Sequence, residues 1–218
     1  MNYYISDLHF FHKNVTGEGT NFYNRPFATM EEMHKTIKEN WNSRVTGSDH
    51  VYILGDMCWK HDESSISLVA QLKGQKSLLV GNHDQPKDQR YRQLFNEIVP
   101  YKELDDVIDG KRYGVVLSHF PIAFWNHQHK YTRDGNEHKK WAIQLYGHVH
   151  NSVEEDIFRE FLNGLNTKHG IVCEAYNVGC MMDYMGYTPR TLKEIRDGWK
   201  VMYKSNMLYE TDKGVIIN

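Results

Sequence analysis

Gly81-Asn82-His83-Asp84, set between the apolar run Ser77-Leu78-Leu79-Val80 and Pro86, reads as a tight loop leaving the end of a buried strand. Alone it is ordinary turn chemistry, because Gly-Asn is a common turn pair and a neighbouring His and Asp are usually solvated. The same construction, an apolar run ending in Gly, Ser or Asp and then a metal-binding side chain, occurs five times in order. The other four are Tyr3-Tyr4-Ile5-Ser6-Asp7-Leu8-His9, Val51-Tyr52-Ile53-Leu54-Gly55-Asp56, Val115-Val116-Leu117-Ser118-His119 and Ile143-Gln144-Leu145-Tyr146-Gly147-His148-Val149-His150. Loops at the ends of neighbouring strands converge on one crevice, where open α/β sheets bind their ligands. The i, i+2 spacing of Asp7/His9 and His148/His150 puts each pair on one side of an extended segment.

The 218 residues suffice for one domain, 1–218, and no Pro/Gly/Ser-rich or charged linker divides them. Lys+Arg 26 against Asp+Glu 28 gives a formal net charge of -2, so bulk charge does not advertise a polyanion partner. Cys58, Cys173 and Cys180 are odd in number and lack CxxC spacing, which favours a reducing compartment over a disulfide framework or thiolate zinc site. No apolar run approaches membrane-spanning length, and signal cleavage would remove Asp7, so a cytoplasmic protein without a membrane partner is expected.

Thr29-x-x-Glu32 is a capping box, and Met30, Met33, Ile37 and Trp41 follow at helical spacing to about Arg44. A second helix is expected over roughly 63–73, stopping at Gly74, and a short one is marked by Tyr91, Leu94, Phe95 and Ile98. Ser152-x-x-Glu155 caps another, with Val153, Ile157, Phe158, Phe161 and Leu165 inward; a strand at 171–178 and a helix from about Thr191 to Tyr203 follow. Strand, loop and helix alternate as in β-α-β units.

Asp7, His9, Asp56, Asn82, His119, His148 and His150 supply carboxylate, imidazole and amide ligands without sulfur, a set suited to divalent Mn, Fe or Zn. They are too many for one closed tetrahedral site, and two metals about 3.5–4 Å apart, bridged by a carboxylate such as Asp56, fit better.

The order D-x-H, G-D, G-N-H-D, H and G-H-x-H, spanning residues 7 to 150, resembles the calcineurin-like metallophosphoesterase superfamily. His12 and Asn14, Arg25-Pro26-Phe27, Trp41-Asn42 and Tyr187-Thr188-Pro189 are similar to a small branch of it found in bacteria and their phages. The resemblance implies a four-layer αββα sandwich of two mixed sheets flanked by helices, with two divalent ions, Mn foremost and Fe, Zn or Ni as alternatives. It implies Asp7, His9, Asp56 and His150 on one metal, and Asp56, Asn82, His119 and His148 on the other. His83 would protonate the leaving group while Asp84 orients its imidazole, and a metal-bridging hydroxide would attack phosphorus. Ser118 stands where the family often has Gly, and Phe11 where this branch often has Gly, narrowing the mouth of the site.

His12 either leans toward the substrate or makes a loop hydrogen bond. Arg25 either clamps a phosphate bidentately, the expected role, or braces the 10–27 loop. Segment 120–141 interleaves Phe120, Phe124, Trp125, Tyr131 and Trp141 with His127, His129, Lys130, Arg133, His138, Lys139 and Lys140, as a substrate lid or as a solvated loop with aromatic anchors. The expected function is hydrolysis of a small, nucleotide-type phosphodiester, with phosphomonoester hydrolysis as the alternative. Long DNA is not expected as a partner, because no basic bias or added domain accompanies the motifs. The rival is a non-catalytic scaffold, which would be expected to have lost ligands that this chain keeps.

Overall fold

A computed structural model describes residues 1–130 and 141–203 with their side chains, and 207–211 and 214–217 as backbone strands. Strands β1 (Asn2–Ile5), β2 (His50–Ile53), β3 (Gln75–Leu79) and β4 (Glu97–Val99) form one sheet in that order, with every pairing parallel. Their crossovers carry α1 (Met30–Arg44), α2 (Glu63–Ala70) and the short α3 (Gln89–Arg92). The second sheet runs β5 (Tyr101–Ile108), β6 (Lys111–Ser118), β7 (Ala142–Tyr146) and β8 (Ala175–Asn177), antiparallel only between β5 and β6. Helix α4 (Val153–His169) joins β7 to β8, α5 (Leu192–Tyr203) follows, and β9 (Met207–Thr211) pairs antiparallel with β10 (Gly214–Ile217). The described residues thus form an α/β fold with two four-stranded sheets and five helices; one sheet is purely parallel, where two mixed sheets are expected.

The capping and burial patterns explain most of these elements. Thr29 Oγ1 accepts the Glu32 N–H at 3.1 Å, Glu32 reaches back to the Ala28 N–H at 2.8 Å, and α1 buries Met33, Ile37 and Trp41. β1, β2, β3 and β7 are buried on both faces beyond the first residues of the first three, as crossover-covered strands must be; β3 is apolar only at Leu78 and Leu79. Cys58 and Cys180 are buried and all three cysteines are unpaired. No helix among the described residues is long and apolar enough to cross a membrane.

Several elements depart from the sequence reading: the strand expected over 171–178 is confined to Ala175–Asn177, and the helix expected over 63–73 ends at Ala70. Helix α3 stops at Arg92 and Ile98 lies in β4, paired with Leu78, because short apolar runs satisfy a strand as readily as a helix. Helix α4 leaves Val153 and Ile157 exposed and turns Glu155 inward, where the carboxylate accepts Tyr146 Oη at 2.9 Å and Asn177 Nδ2 at 3.1 Å. Strand β5 is unforeseen, although Asp109-Gly110, at φ 49° and 79°, is a strong turn signal for the β5–β6 hairpin.

The chain after β8 stitches the sheets together at the ends that matter. Ser6 N–H donates to the Val178 carbonyl at 2.8 Å, Val178 N–H to that of Tyr146 at 2.7 Å, and Cys180 N–H to that of Ser6 at 2.9 Å. The C-terminal ends of β1 and β7 are thereby brought together, and with them Asp7 and His148.

Candidate metal centre

All seven proposed ligands lie in loops that follow the C-terminal ends of β1, β2, β3, β6 and β7. Five of them, Asp7, His9, Asp56, His148 and His150, adopt left-handed backbone with φ between 51° and 69°. The paired residues therefore meet through repeated left-handed turns, not through the pleat of an extended strand. That conformation costs roughly 1–2 kcal/mol per residue, and the neighbouring loops hold it in place. Asp7 N–H donates to Gly55 O at 3.0 Å, His9 N–H to Asp56 O at 2.9 Å, and Gly147 N–H to His119 O at 2.9 Å. The His148 N–H spans both Asp7 carboxylate oxygens at 3.1 and 3.2 Å, and the His83 N–H donates to Asp56 Oδ1 at 2.9 Å. Such close packing needs glycine: a Cβ on Gly81 would overlap Asp56 Oδ1, and one on Gly147 would overlap Ser6 Oγ.

Asp56 sits between two groups of ligand atoms. Its Oδ2 is 3.7 Å from His9 Nε2 and 3.6 Å from His119 Nε2. On one side His9 Nε2 and His150 Nε2 are 3.4 Å apart, and Asp7 Oδ1 is 3.8 Å from His150 Nε2. On the other, Asn82 Oδ1 is 2.9 Å from both His119 Nε2 and His148 Nδ1. Ligand atoms of Asp7, His9 and His150 lie within 4.8 Å of one another, as do those of Asp7, Asp56 and His119, so Asp7 borders both groups.

The donor chemistry fits a cation. His119 Nδ1 must donate to the Leu54 carbonyl 2.8 Å away, because a carbonyl only accepts. In the neutral ring, Nε2 then carries a bare lone pair aimed at Asn82 Oδ1, two acceptors facing each other. A second-nitrogen bond to a backbone carbonyl is how metal-binding histidines are oriented. Burial pushes the Asp7 carboxyl up to about 6 and raises that of Asp56. Burial holds His9 well below the usual imidazole range and His150 down at about 3, with the Arg25 charge adding to both. Neutral imidazoles and unneutralised buried carboxylates are what a divalent ion would relieve.

Two expected roles are corrected. Asp84 does not orient the His83 imidazole: its carboxylate accepts the N–H groups of Asp56 at 2.7 Å, Gly81 at 2.9 Å and Met57 at 3.2 Å, tying two ligand loops together. Arg25 is not at the surface to clamp phosphate. It is buried, donating to Asp7 O at 2.7 Å and Leu8 O at 3.0 Å beneath the first ligand loop. Phe11 follows the first ligand loop and packs against α1. Its ring packs 4.5 Å from His34, its N–H donates to His34 Nε2 at 2.9 Å, and its backbone is left-handed at φ 66°.

His83 and His12 do lie at the rim, their rings 5.6 and 5.7 Å from that of His9, with His83 Nε2 4.0 Å from Asp56 Oδ2. Sequence reading missed Trp59, whose ring lies 4.0 Å from His12 and 4.8 Å from His83, and Tyr23, stacked on His150 at 3.8 Å. It also missed Asn177, whose amide donates to the His150 carbonyl at 2.8 Å. Residues 131–140 of the expected lid, with Tyr131, Arg133, His138, Lys139 and Lys140, lie outside the described residues. Of the remainder, Trp125 and Trp141 are buried, whereas Phe120 is exposed 4.4 Å from the His148 ring.

No family model matches the chain. It is 40% identical over 84 residues to an uncharacterized protein of Methanocaldococcus jannaschii, a match covering 38% of this chain and 46% of that relative, less than half its length. It is 26% identical to the Gene 66 protein of Mycobacterium phage D29, over 78% of this chain and 90% of that protein. The Gene 66 protein of Mycobacterium phage L5 is also 26% identical, over 69% and 78%. The fold is similar to the crystal structure of a protein of unknown function from Aquifex aeolicus, with a TM-score of 0.59 and 24% identity over 90% of this chain and 98% of that one.

Proposed function

We propose that this chain is a cytoplasmic phosphoester hydrolase of the calcineurin-like metallophosphoesterase type, an αββα sandwich holding two divalent cations between its sheets' C-terminal edges. The observation that carries the reading is the convergence of lone pairs around Asp56: His9 Nε2 at 3.7 Å and His119 Nε2 at 3.6 Å from one carboxylate oxygen. Asp7, His9, His150 and Asp56 would hold one ion, and Asp56, Asn82, His119 and His148 the other. When bound, such a pair supplies water activation near neutral pH and neutralises the charge on phosphoryl oxygens.

The chain's own residues supply the rest. The left-handed loops, tied to one another by backbone hydrogen bonds, set the positions from which the ligand side chains project. His83 holds its imidazole at the rim, 38% exposed and beside Asp56, where Nε2 can carry a proton to the departing oxygen of the ester. His12, at the same rim and packed 4.0 Å from the Trp59 ring, is shifted downward by burial and by the neighbouring His83, and would present its imidazole to a bound phosphoester.

The test is steady-state hydrolysis of p-nitrophenyl phosphate and bis(p-nitrophenyl) phosphate by metal-stripped protein reconstituted separately with Mn²⁺, Zn²⁺ and Mg²⁺. Turnover restored by a transition metal is expected, greater on the diester. Preference for the monoester would make the chain a phosphatase, and no turnover with any metal would leave a non-catalytic scaffold.

A further inference from the structure

Two exposed aromatic rings border the ligand cluster, one beside each group of ligands. Trp59 is 43% exposed, whereas Trp41, Trp125 and Trp141 are buried. Its backbone is fixed: Trp59 N–H donates to the Phe10 carbonyl at 2.8 Å, one residue past His9. Its ring packs on His12 and His83, which border His9. Phe120 is 48% exposed and follows His119 directly; its carbonyl accepts Ser118 Oγ at 2.7 Å, and its ring lies 4.4 Å from His148 and 5.0 Å from His119. The exposed part of each ring yields no burial energy to the fold, and both are anchored through their backbones beside the ligand groups.

We propose that Trp59 and Phe120 are two stacking platforms, and that the site binds a short dinucleotide-type phosphodiester with a base on either side of the phosphate. This rests on the reading of the centre as a phosphoester hydrolase. A monoester has one organic group and leaves one platform idle, whereas a diester with two planar groups occupies both. A long strand would need a basic track for its further phosphates, and the formal net charge of -2 supplies no such bias. Hydrolysis then forms one P–O bond from water and breaks the P–O bond to one nucleoside. The released oxygen takes its proton from His83, leaving one nucleotide and one nucleoside.

Adenylyl-adenosine and methyl p-nitrophenyl phosphate form the diagnostic pair. Stacking is worth about 1–3 kcal/mol per base, or roughly 5- to 150-fold in affinity. Trp59→Ala and Phe120→Ala should each raise KM for the dinucleotide about tenfold more than KM for the methyl ester, which can place its single ring on the remaining platform. Trp59→Phe should restore most of the loss. Equal changes in KM on both substrates would overturn the platforms while leaving the hydrolase intact. A second readout needs no turnover: adenylyl-adenosine should quench tryptophan fluorescence of the metal-free protein, and Trp59→Leu should abolish the quenching. Quenching without hydrolysis of any ester would support the platforms and sink the hydrolase; quenching that survives Trp59→Leu would overturn the platform at Trp59.

Discussion

Asp84 Oδ2 accepts the backbone N–H of Asp56 at 2.7 Å, so the carboxylate closing one ligand loop fixes the carboxylate at the centre of the next. The same side chain takes the N–H groups of Gly81 and Met57, and Asp56 Oδ1 in return takes the N–H of His83. The β2 and β3 loops are therefore cross-linked in both directions by carboxylates accepting buried N–H groups. Bonds of this kind to a charged acceptor contribute about 1.5–3 kcal/mol each.

Asp84→Ala strands three buried N–H groups and should destabilise the protein by about 3 kcal/mol or more, with loss of metal retention. Urea unfolding and metal analysis of the variant check this. If stability were unchanged and only turnover fell, Asp84 would be serving His83 after all.

Arg25 should behave as a brace. Arg25→Met and Arg25→Lys both lose the fork that grips the Asp7 and Leu8 carbonyls, so each should lower stability by about 2 kcal/mol or more and weaken metal binding. A phosphate clamp would instead raise KM with unchanged unfolding midpoint.

The left-handed ligands make a prediction that removes side-chain chemistry from the comparison. His148→Gly and His148→Ala both delete the imidazole at φ 69°, and only the alanine variant retains the Cβ penalty. The glycine variant should be more stable by about 1 kcal/mol in urea unfolding. Greater stability for alanine would place this residue in ordinary backbone.

His34 provides the pH dependence. Burial holds it down at about 4, and its Nε2 accepts the Phe11 N–H, so the native state keeps it neutral. The unfolded chain binds a proton there below about 6.5. The unfolded state thus binds more protons between about 4 and 6.5, and stability falls as pH drops through that window. Unfolding curves measured across it should show a shallower slope in His34→Leu than in the wild type; identical slopes would mean that His34 is already charged in the fold.

How much of this could be read in the sequence follows from which interactions leave a spacing behind. The five loops, the Thr29 and Ser152 caps and the buried strands announce themselves through neighbours in the chain. Asp109-Gly110 does too, but the β5–β6 hairpin is masked because its eight-residue strand carries an exposed, charged face. The roles of Asp84 and Arg25 were not legible, since their partners are backbone groups of remote segments and backbone groups have no letter in the sequence. The inward face of α4 is not legible for a related reason: Glu155 is buried because Tyr146 of β7 and Asn177 of β8 present donors to it.

The most direct test of the two-cation centre is calorimetric titration of metal-stripped protein with Mn²⁺, alongside His119→Ala and Asp56→Asn. The account predicts two equivalents per wild-type chain, one retained in His119→Ala, and both weakened in Asp56→Asn, because Asp56 Oδ2 borders both groups. A single equivalent in the wild type, or two equivalents bound undiminished by Asp56→Asn, would contradict it.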